Sequence, residues 1–483
     1  MPAKHIYQGF TKSQGTTGKN KMPKIIADNI SIVETKELER FSRIDAEYYH
    51  PKYLALHTLY KEGNWSPIGR HLRNCEYGIS IAMNTEGNGY GILRMDNLQG
   101  GFAFDDDLKY APITEKEFYK YRLQKDDILF NRVNSEEFVG RTGIYKLSGN
   151  HVFASYLVRL QTKENELLPD YLNIFLNTKY GILSIRRMSR RAVNQANVNA
   201  QELKAIKILL APLKFQEEIK NLLEKSHELF DKSKTLYSQA ETLLLEELGI
   251  KDIDLSHEPC YEVNSADTIS ANRIDAEYYQ PKYERVIEVI KNCKFGWCKL
   301  ADKITNITDK HDPKRETEKV FRYIELSNIN PSIGIIDGYS EFRSKDLPSR
   351  ARMLIREGDV IISSVEGSID KVALVDNHHD GCLASTGFFI FRSKENMLPE
   401  YTLVLCKSVL IQKQLEKLSS GTILTAVPKK LVQNIIIPNT PKEAQTEIAN
   451  LIRQSHSARR QAKEFLEEAK RKVEEMIEKG SLI

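Results

Sequence analysis

Two long stretches of the chain carry small and apolar residues in alternating steps of four and three. In the first they fall at Phe215, Ile219, Leu222, Ser226, Leu229, Ser233, Leu236, Ala240 and Leu243. In the second they fall at Ile448, Leu451, Ser455, Ala458, Ala462, Phe465 and Ala469. A narrow stripe sustained over several heptads is the seam of a coiled coil, because 3.5 residues per turn keep such positions facing one partner helix. Pro212 and Pro441 stand where a helix tolerates proline, just before each start, and Gly249 and Gly480 stand at the ends as expected C-caps. Some 36 residues at 1.5 Å each predict rods about 54 Å long. The two are expected to pack on each other as an antiparallel coiled coil.

The rest of the pattern is shorter in period. Runs of strand type occur at Gly91–Met95, Asp127–Phe130, Val158–Thr162 and Ile206–Leu210, and again at Val360–Ser363 and Gly387–Arg392. Pro169 and Pro399 each open a helical stretch, the first with Leu172, Phe175 and Leu176 on one face. The fold class is therefore mixed, α/β (α+β).

The chain also contains itself twice. Arg43-Ile44-Asp45-Ala46-Glu47-Tyr48-Tyr49-His50-Pro51-Lys52-Tyr53 returns as Arg273-Ile274-Asp275-Ala276-Glu277-Tyr278-Tyr279-Gln280-Pro281-Lys282-Tyr283. A period of roughly 230 residues is far longer than a solenoid repeat, so each copy is domain-sized. Lys125-Asp126-Asp127-Ile128-Leu129-Phe130 answers Glu357-Gly358-Asp359-Val360-Ile361-Ile362, Leu168-Pro169-Asp170-Tyr171 answers Leu398-Pro399-Glu400-Tyr401, and Gln216-Glu217-Glu218-Ile219 answers Gln445-Thr446-Glu447-Ile448. Between these anchors the copies diverge, as in Cys75–Gly91 against Ile304–Lys319. The expected domains are a flexible basic tail (1–40), a first variable domain (41–211), a central helix (212–249), a polar linker (250–270), a second variable domain (271–438) and a C-terminal helix (439–480).

Composition narrows the class. Apolar residues make 41% of the chain and charged residues 28%, enough for ordinary globular cores. The longest apolar runs, such as Ile208–Leu213, are too short to span a bilayer, and Met1–Met22 has no secretory apolar core, which points to a soluble cytoplasmic protein without a membrane. A formal charge of +4 is compatible with a polyanionic partner without demanding one. Six cysteines are too few for a disulfide scaffold. Neither Cys293 and Cys298 nor the His378–Cys382 turn has the spacing of a metal site, so no metal is expected. Gly87–Gly91 is no dinucleotide loop, Gly18-Lys19 is no phosphate loop, and no catalytic motif is found. No catalytic residue is expected in this chain.

A variable domain followed by a long helix, with the pair repeated, resembles the specificity (S) subunit of type I restriction-modification systems. The resemblance covers about residues 40–480. It rests on the twin Arg-Ile-Asp-Ala-Glu-Tyr-Tyr segments, the strand at Gly358–Ile362, the Ser-Gly-Thr stretch Ser420–Thr422, and the Pro-x-x-x-Gln start of each helix at Pro212–Gln216 and Pro441–Gln445. The first copy departs from it at Ser189–Asn194. The resemblance implies a non-catalytic subunit whose two target recognition domains each read one half of a split sequence in double-stranded DNA. Its paired helices then act as a ruler and as the dock for two methyltransferase (M) subunits, with two restriction (R) subunits where present. Adenine N6-methylation and ATP-dependent cleavage belong to those partners, so S-adenosylmethionine, ATP and Mg²⁺ are expected there and no cofactor here. A targeting subunit of a modification-only methyltransferase, and a coiled-coil scaffold without DNA binding, stay open as alternatives.

Phosphate contacts from Lys and Arg position such a domain, and a few polar side chains read base edges. In the first copy the candidates are Arg186, Arg187, Arg190 and Arg191, which at i, i+1, i+4 and i+5 form one basic face of a helix, followed by Asn194 and Gln195. Asn131, Arg132 and Asn134 follow a predicted strand end. In the second copy they are Lys310, His311, Lys314 and Arg315, with Arg350 and Arg352. The paired tyrosines Tyr48/Tyr49 and Tyr278/Tyr279 are expected to pack rather than read DNA, because residues that read different half-sites should differ between copies.

Overall fold

The computed structural model describes residues 24–27, 29–33, 35, 43–54, 56–60, 63–192, 195–250, 252–394, 396–419 and 427–479. By its internal contacts the chain forms two units, residues 1–225 with 465–483 and residues 226–464. The division passes through both long helices, so each unit holds a segment of each.

In the first unit a six-stranded sheet is built from β1 (Leu72–Tyr77), β2 (Leu98–Gln99), β3 (Phe102–Ala103), β4 (Ile128–Asn131), β5 (Thr142–Ile144) and β6 (Leu157–Thr162). Its order is β1-β6-β4-β5-β3-β2, antiparallel except for β5 against β3. Every residue of β4 and β5 is buried, which is why Ile128–Phe130 runs apolar instead of alternating. Helix α1 (Pro169–Asn177) starts at its proline, and Thr178 caps α2 (Lys179–Met188) by accepting from the Gly181 N–H. A capping box of Asn199 and Glu202 starts α3 (Ala200–Ala205). The long helix α4 spans Leu213–Leu248.

The second unit carries α5 (Ser265–Ala271), α6 (Pro281–Lys291) and the strands β7 (Ile304–Asn306), β8 (Ile329–Asn330), β9 (Ile335–Ile336), β10 (Val360–Ser363), β11 (Val372–Leu374) and β12 (Phe388–Ser393). Helices α7 (Pro399–Lys407) and α8 (Val409–Leu418) follow, and the second long helix, α9, spans Lys442–Lys479. The antiparallel sheet β7-β12-β10-β11 repeats β1-β6-β4-β5 strand for strand.

The same polar clamps recur in both units, which explains why their residues are shared. Asp127 accepts from the Gln124 N–H (2.9 Å) and from Gln161 on β6 (2.6 Å). Asp359 likewise accepts from the Arg356 N–H (2.9 Å) and from Arg392 on β12 (2.7 and 2.8 Å). Gln216 accepts from the Leu168 N–H (2.8 Å) and donates to the Ala211 carbonyl (2.8 Å). Gln445 repeats both bonds with Leu398 (3.2 Å) and Thr440 (2.9 Å). The Pro-x-x-x-Gln start therefore ties each long helix to its domain.

Within each unit the helical segments run antiparallel. Lys472 pairs with Glu218 (2.7 Å) and Lys225 lies over the Phe465 ring in the first unit. In the second, the Ser226 hydroxyl donates to the Ala462 carbonyl (2.8 Å) and the Ser455 hydroxyl to the Ser233 carbonyl (2.7 Å). Serines and alanines at these layers let the backbones approach closely enough for hydroxyl-to-backbone bonds. Most of the expected seam holds its place: Ile219, Leu222, Ser226, Ser233 and Ala240 are buried in α4, and Ile448, Ser455, Ala458, Ala462 and Ala469 in α9. At the alternate positions the deepest burial falls one residue later, on Phe230, Tyr237 and Leu244 and on Ile452 and Leu466. The expected Phe215, Leu229, Leu236, Leu243, Leu451 and Phe465 are half-buried. Leu243 and Leu451 pack against the apolar core of the second unit.

Two expected loose segments are ordered in part. Within residues 1–40, Lys24–Ala27 pairs antiparallel with Ile30–Ile32, and residues 1–23 lie outside the described residues. The expected linker 250–270 buries Ile250 and partly buries Ile253 and Leu255, while Arg285 binds Asp254 (3.0 Å) and Glu258.

Candidate nucleic-acid interface

In the first unit the residues at the end of strand β4 and at the end of strand β1 form one polar surface. Arg132 donates from Nε to the Ser155 carbonyl (3.1 Å), and its guanidinium lies 5.0 Å from the centroid of the Tyr77 ring. The Tyr77 hydroxyl in turn accepts from the Ala200 N–H, at the first residue of α3 (2.9 Å). Tyr77 is 41% exposed and Arg132 is half-buried, so this arginine–aromatic pair reaches solvent. Asn134 is half-exposed, with Oδ1 accepting from the Ser135 N–H (2.8 Å) and Nδ2 beside the Met95 sulfur (3.3 Å). Asn131 does not join them. It is fully buried, its Nδ2 donating weakly to the Phe138 carbonyl (3.4 Å), because it is the last residue of a strand flanked on both sides. It cannot touch a base edge from there.

The expected basic helical face is not formed. Helix α2 ends at Met188, where Ser189 turns extended, and Arg190–Ala192 forms a strand paired with Gln195–Asn197. Arg186 is half-buried on the last turn. Arg187 is buried, donates to the Tyr48 carbonyl (3.3 Å) and lies 4.3 Å from the Tyr48 ring centroid, so it serves the interior. Arg190 is exposed and paired with Glu202 (2.6 Å). Gln195 is exposed on the partner strand. Arg191 lies on the strand and nothing is described of its side chain, and Asn194 and Ser420–Thr422 lie outside the described residues.

In the second unit the fold gathers residues that the sequence separates. The His311 N–H donates to the Arg352 carbonyl (2.7 Å), and the Arg352 guanidinium binds Asp312 (2.7 Å). Asp312 also accepts from the Lys314 N–H (3.3 Å) and stands 3.8 Å from the Arg315 Nε. The Arg352 hydrogen bond, outweighing what burial costs, holds the Asp312 carboxyl below its usual range. His311 pairs with Glu316 (3.0 Å). Lys310, Lys314, Arg315 and Arg350 are exposed around this hub, Arg315 with 86% of its side chain accessible. Burial, then the nearby charge of Lys310, pushes the Lys429 ammonium down from its ordinary value, so a second lysine shares this field. Such a surface offers cations at several points and no cradle for an ion. Among the described residues no group of three or more His, Cys, Asp and Glu could hold a metal, and all six cysteines are free.

Sequence reasoning passed over Tyr77 and Lys429. Tyr77 had a signal, since it lies within the divergent stretch Cys75–Gly91. Lys429 had none, because only the tertiary fold brings it near Lys310.

The sequence model of the family described as "Type I restriction modification DNA specificity domain" matches residues 79–242 and 300–464. These two matches cover most of the chain and fall on its two copies, so the chain belongs to the type I restriction-modification specificity (S) subunits. It is 30% identical over 172 residues to the type I restriction enzyme EcoKI specificity subunit of Escherichia coli K12, a match covering 35% of this chain and 36% of that protein. It is 24% identical over 415 residues to the putative MjaX specificity subunit of Methanocaldococcus jannaschii, covering 84% and 90%. The S subunit structure from M. genitalium aligns with a TM-score of 0.41 at 15% identity, covering 86% of this chain and 95% of that one. The family is a non-catalytic, DNA-binding component, and no described helix is long and apolar enough to cross a membrane.

Proposed function

We propose that this chain reads a bipartite, asymmetric target in double-stranded DNA, one half-site per recognition unit, and directs methyltransferase subunits and, where present, restriction subunits to it. The observation that carries the reading is a shared frame with different contents. The antiparallel sheet, the buried aspartate clamp and the glutamine helix start recur in both units. The polar surfaces mounted on that frame do not: one presents Tyr77, Arg132 and Asn134, the other Lys310, Lys314, Arg315, Arg350 and Arg352. Exposed cations suit phosphate contacts, and side chains that differ between units suit different base sequences. Methyl transfer, ATP hydrolysis and strand cleavage fall to the partner subunits, with S-adenosylmethionine, ATP and Mg²⁺ bound there.

Genome-wide mapping of methylated adenine in cells carrying this chain with its methyltransferase tests the reading. The expected motif has two unlike halves separated by an unread gap. A palindromic or continuous motif overturns it.

A further inference from the structure

The repeated segment contains four consecutive residues that are identical in both units and exposed in both: Ile44–Glu47 and Ile274–Glu277. Most of the motif around them has work inside the chain. Arg43 binds Asp45 (2.8 Å) and donates to the Met188 carbonyl at the end of α2 (2.9 Å), and its guanidinium lies 4.7 Å from the Tyr48 ring centroid. Arg273 repeats this with Asp275 (2.7 Å), the Ser419 carbonyl at the end of α8 (3.2 Å) and the Tyr278 ring (4.4 Å). The Tyr49 hydroxyl donates to the Arg43 carbonyl (3.0 Å), and the Tyr279 hydroxyl to the Arg273 carbonyl (2.8 Å). Internal packing explains why Arg, Asp and both tyrosines are kept.

It does not explain the isoleucine. Ile44 is 88% exposed and Ile274 is 93% exposed, each between the bonded Arg and Asp of its segment. The stretches leading into these segments expose more of the same kind. Ile30 and Ile32 alternate outward while Ser31 bonds the Tyr49 carbonyl (2.7 Å), and α5 buries no residue and leaves Ile269 79% exposed. An apolar residue repeated at full exposure in both units, on a surface that otherwise diverges, answers to something outside the chain that is present twice.

We propose that Ile44 and Ile274 are the centres of two equivalent docking surfaces, each engaging one copy of the same protein partner. The partner must offer an apolar socket for the isoleucine. Its rim must be polar, because the plug is flanked by charge-balanced pairs, Asp45 with Arg43, Asp275 with Arg273 and Glu277 with Lys282. DNA is a poor occupant, because identity between the units is the opposite of what two unlike half-sites require. On the function proposed above, on which this inference rests, the partner is the methyltransferase subunit.

The full chain is co-expressed with its methyltransferase subunit, and the complex is weighed by native mass spectrometry with titration of the methyltransferase. Wild type carries two copies. I44D and I274D each carry one, with affinity at the altered surface reduced by at least about thirtyfold, and the double variant carries none. The conservative I44V and I274V keep both. Since the sites are exposed, the thermal midpoints of the isolated Asp variants match that of wild type, which separates lost docking from misfolding. Single and double variants that still carry two copies with unchanged affinity overturn the inference while leaving the DNA-reading proposal intact. A wild-type chain that carries no methyltransferase overturns the proposed function itself.

Discussion

Asp127 is 2% exposed at the turn into β4, and burial raises its carboxyl from 3.8 to about 6, against the hydrogen bonds from the Gln124 N–H and Gln161 and the field of Arg73. Arg159 gives little help, since its Nη1 is 3.4 Å from the carboxylate and 2.7 Å from the Arg122 carbonyl. A carboxyl raised on folding binds its proton more tightly in the native state. Its favourable contribution is therefore full below pH 3.8 and is lost as pH rises through about 6, by about 3 kcal/mol at most. The urea midpoint of D127N should lose that part of the slope between pH 4 and 6, and identical pH dependence in wild type and variant would refute the account. Exposure makes a similar division among the arginines. Arg315→Ala should weaken DNA binding by the methyltransferase complex and reduce the slope of log affinity against log salt by about 1. Arg187→Ala should leave that slope alone and instead cost about 1–3 kcal/mol of folding stability, because it removes a buried cation and its Tyr48 contacts. A salt titration beside a denaturation curve distinguishes the two.

Among the elements, those with a strong local signal were legible in the chain. The strand expected at Val360–Ser363 is observed there, Asp127–Phe130 appears as Ile128–Asn131 and Val158–Thr162 as Leu157–Thr162. Both long helices start beside their prolines and run 36 and 38 residues. What failed was whatever two adjacent residues could satisfy equally. Leu229 and Phe230, Leu236 and Tyr237, Leu243 and Leu244, and Phe465 and Leu466 are adjacent apolar pairs, and spacing cannot choose the phase when both phases are apolar. The end of α2 was hidden for another reason: neither Ser189 nor the arginines after it stop a helix by propensity, and the strand they form depends on Gln195–Asn197. The seam phase is directly measurable. Phe230 is 2% exposed, so Phe230→Ala should cost about 3–5 kcal/mol, whereas Leu229→Ala, starting half-buried, should cost roughly half of that. Equal losses by chemical denaturation would return the seam to Leu229.

For the whole molecule, the serine layers define how the helix pair can be lengthened without breaking its register. Ser226 meets Ala462, and one heptad on, Ser233 meets Ser455. Seven residues inserted between Ser226 and Ser233 can therefore be matched by seven between Ser455 and Ala462. Every buried layer then keeps its partner, and each helix gains about 10 Å. Inserting in one helix alone would instead set half of the seam against the wrong layers and expose Phe230 or Leu466. If the pair spaces two half-sites, the unread gap of the doubly extended chain should grow by up to about three base pairs, at 3.4 Å each. Three added pairs also rotate one half-site about the duplex axis by a little more than a quarter turn, so the new optimum should be weaker than the old one unless the DNA untwists to meet it. Binding to a target series with gaps varied one pair at a time reads out both effects. A shifted and broadened optimum supports the spacer, and an optimum unchanged in the doubly extended protein shows that the helices bind partners without setting the gap.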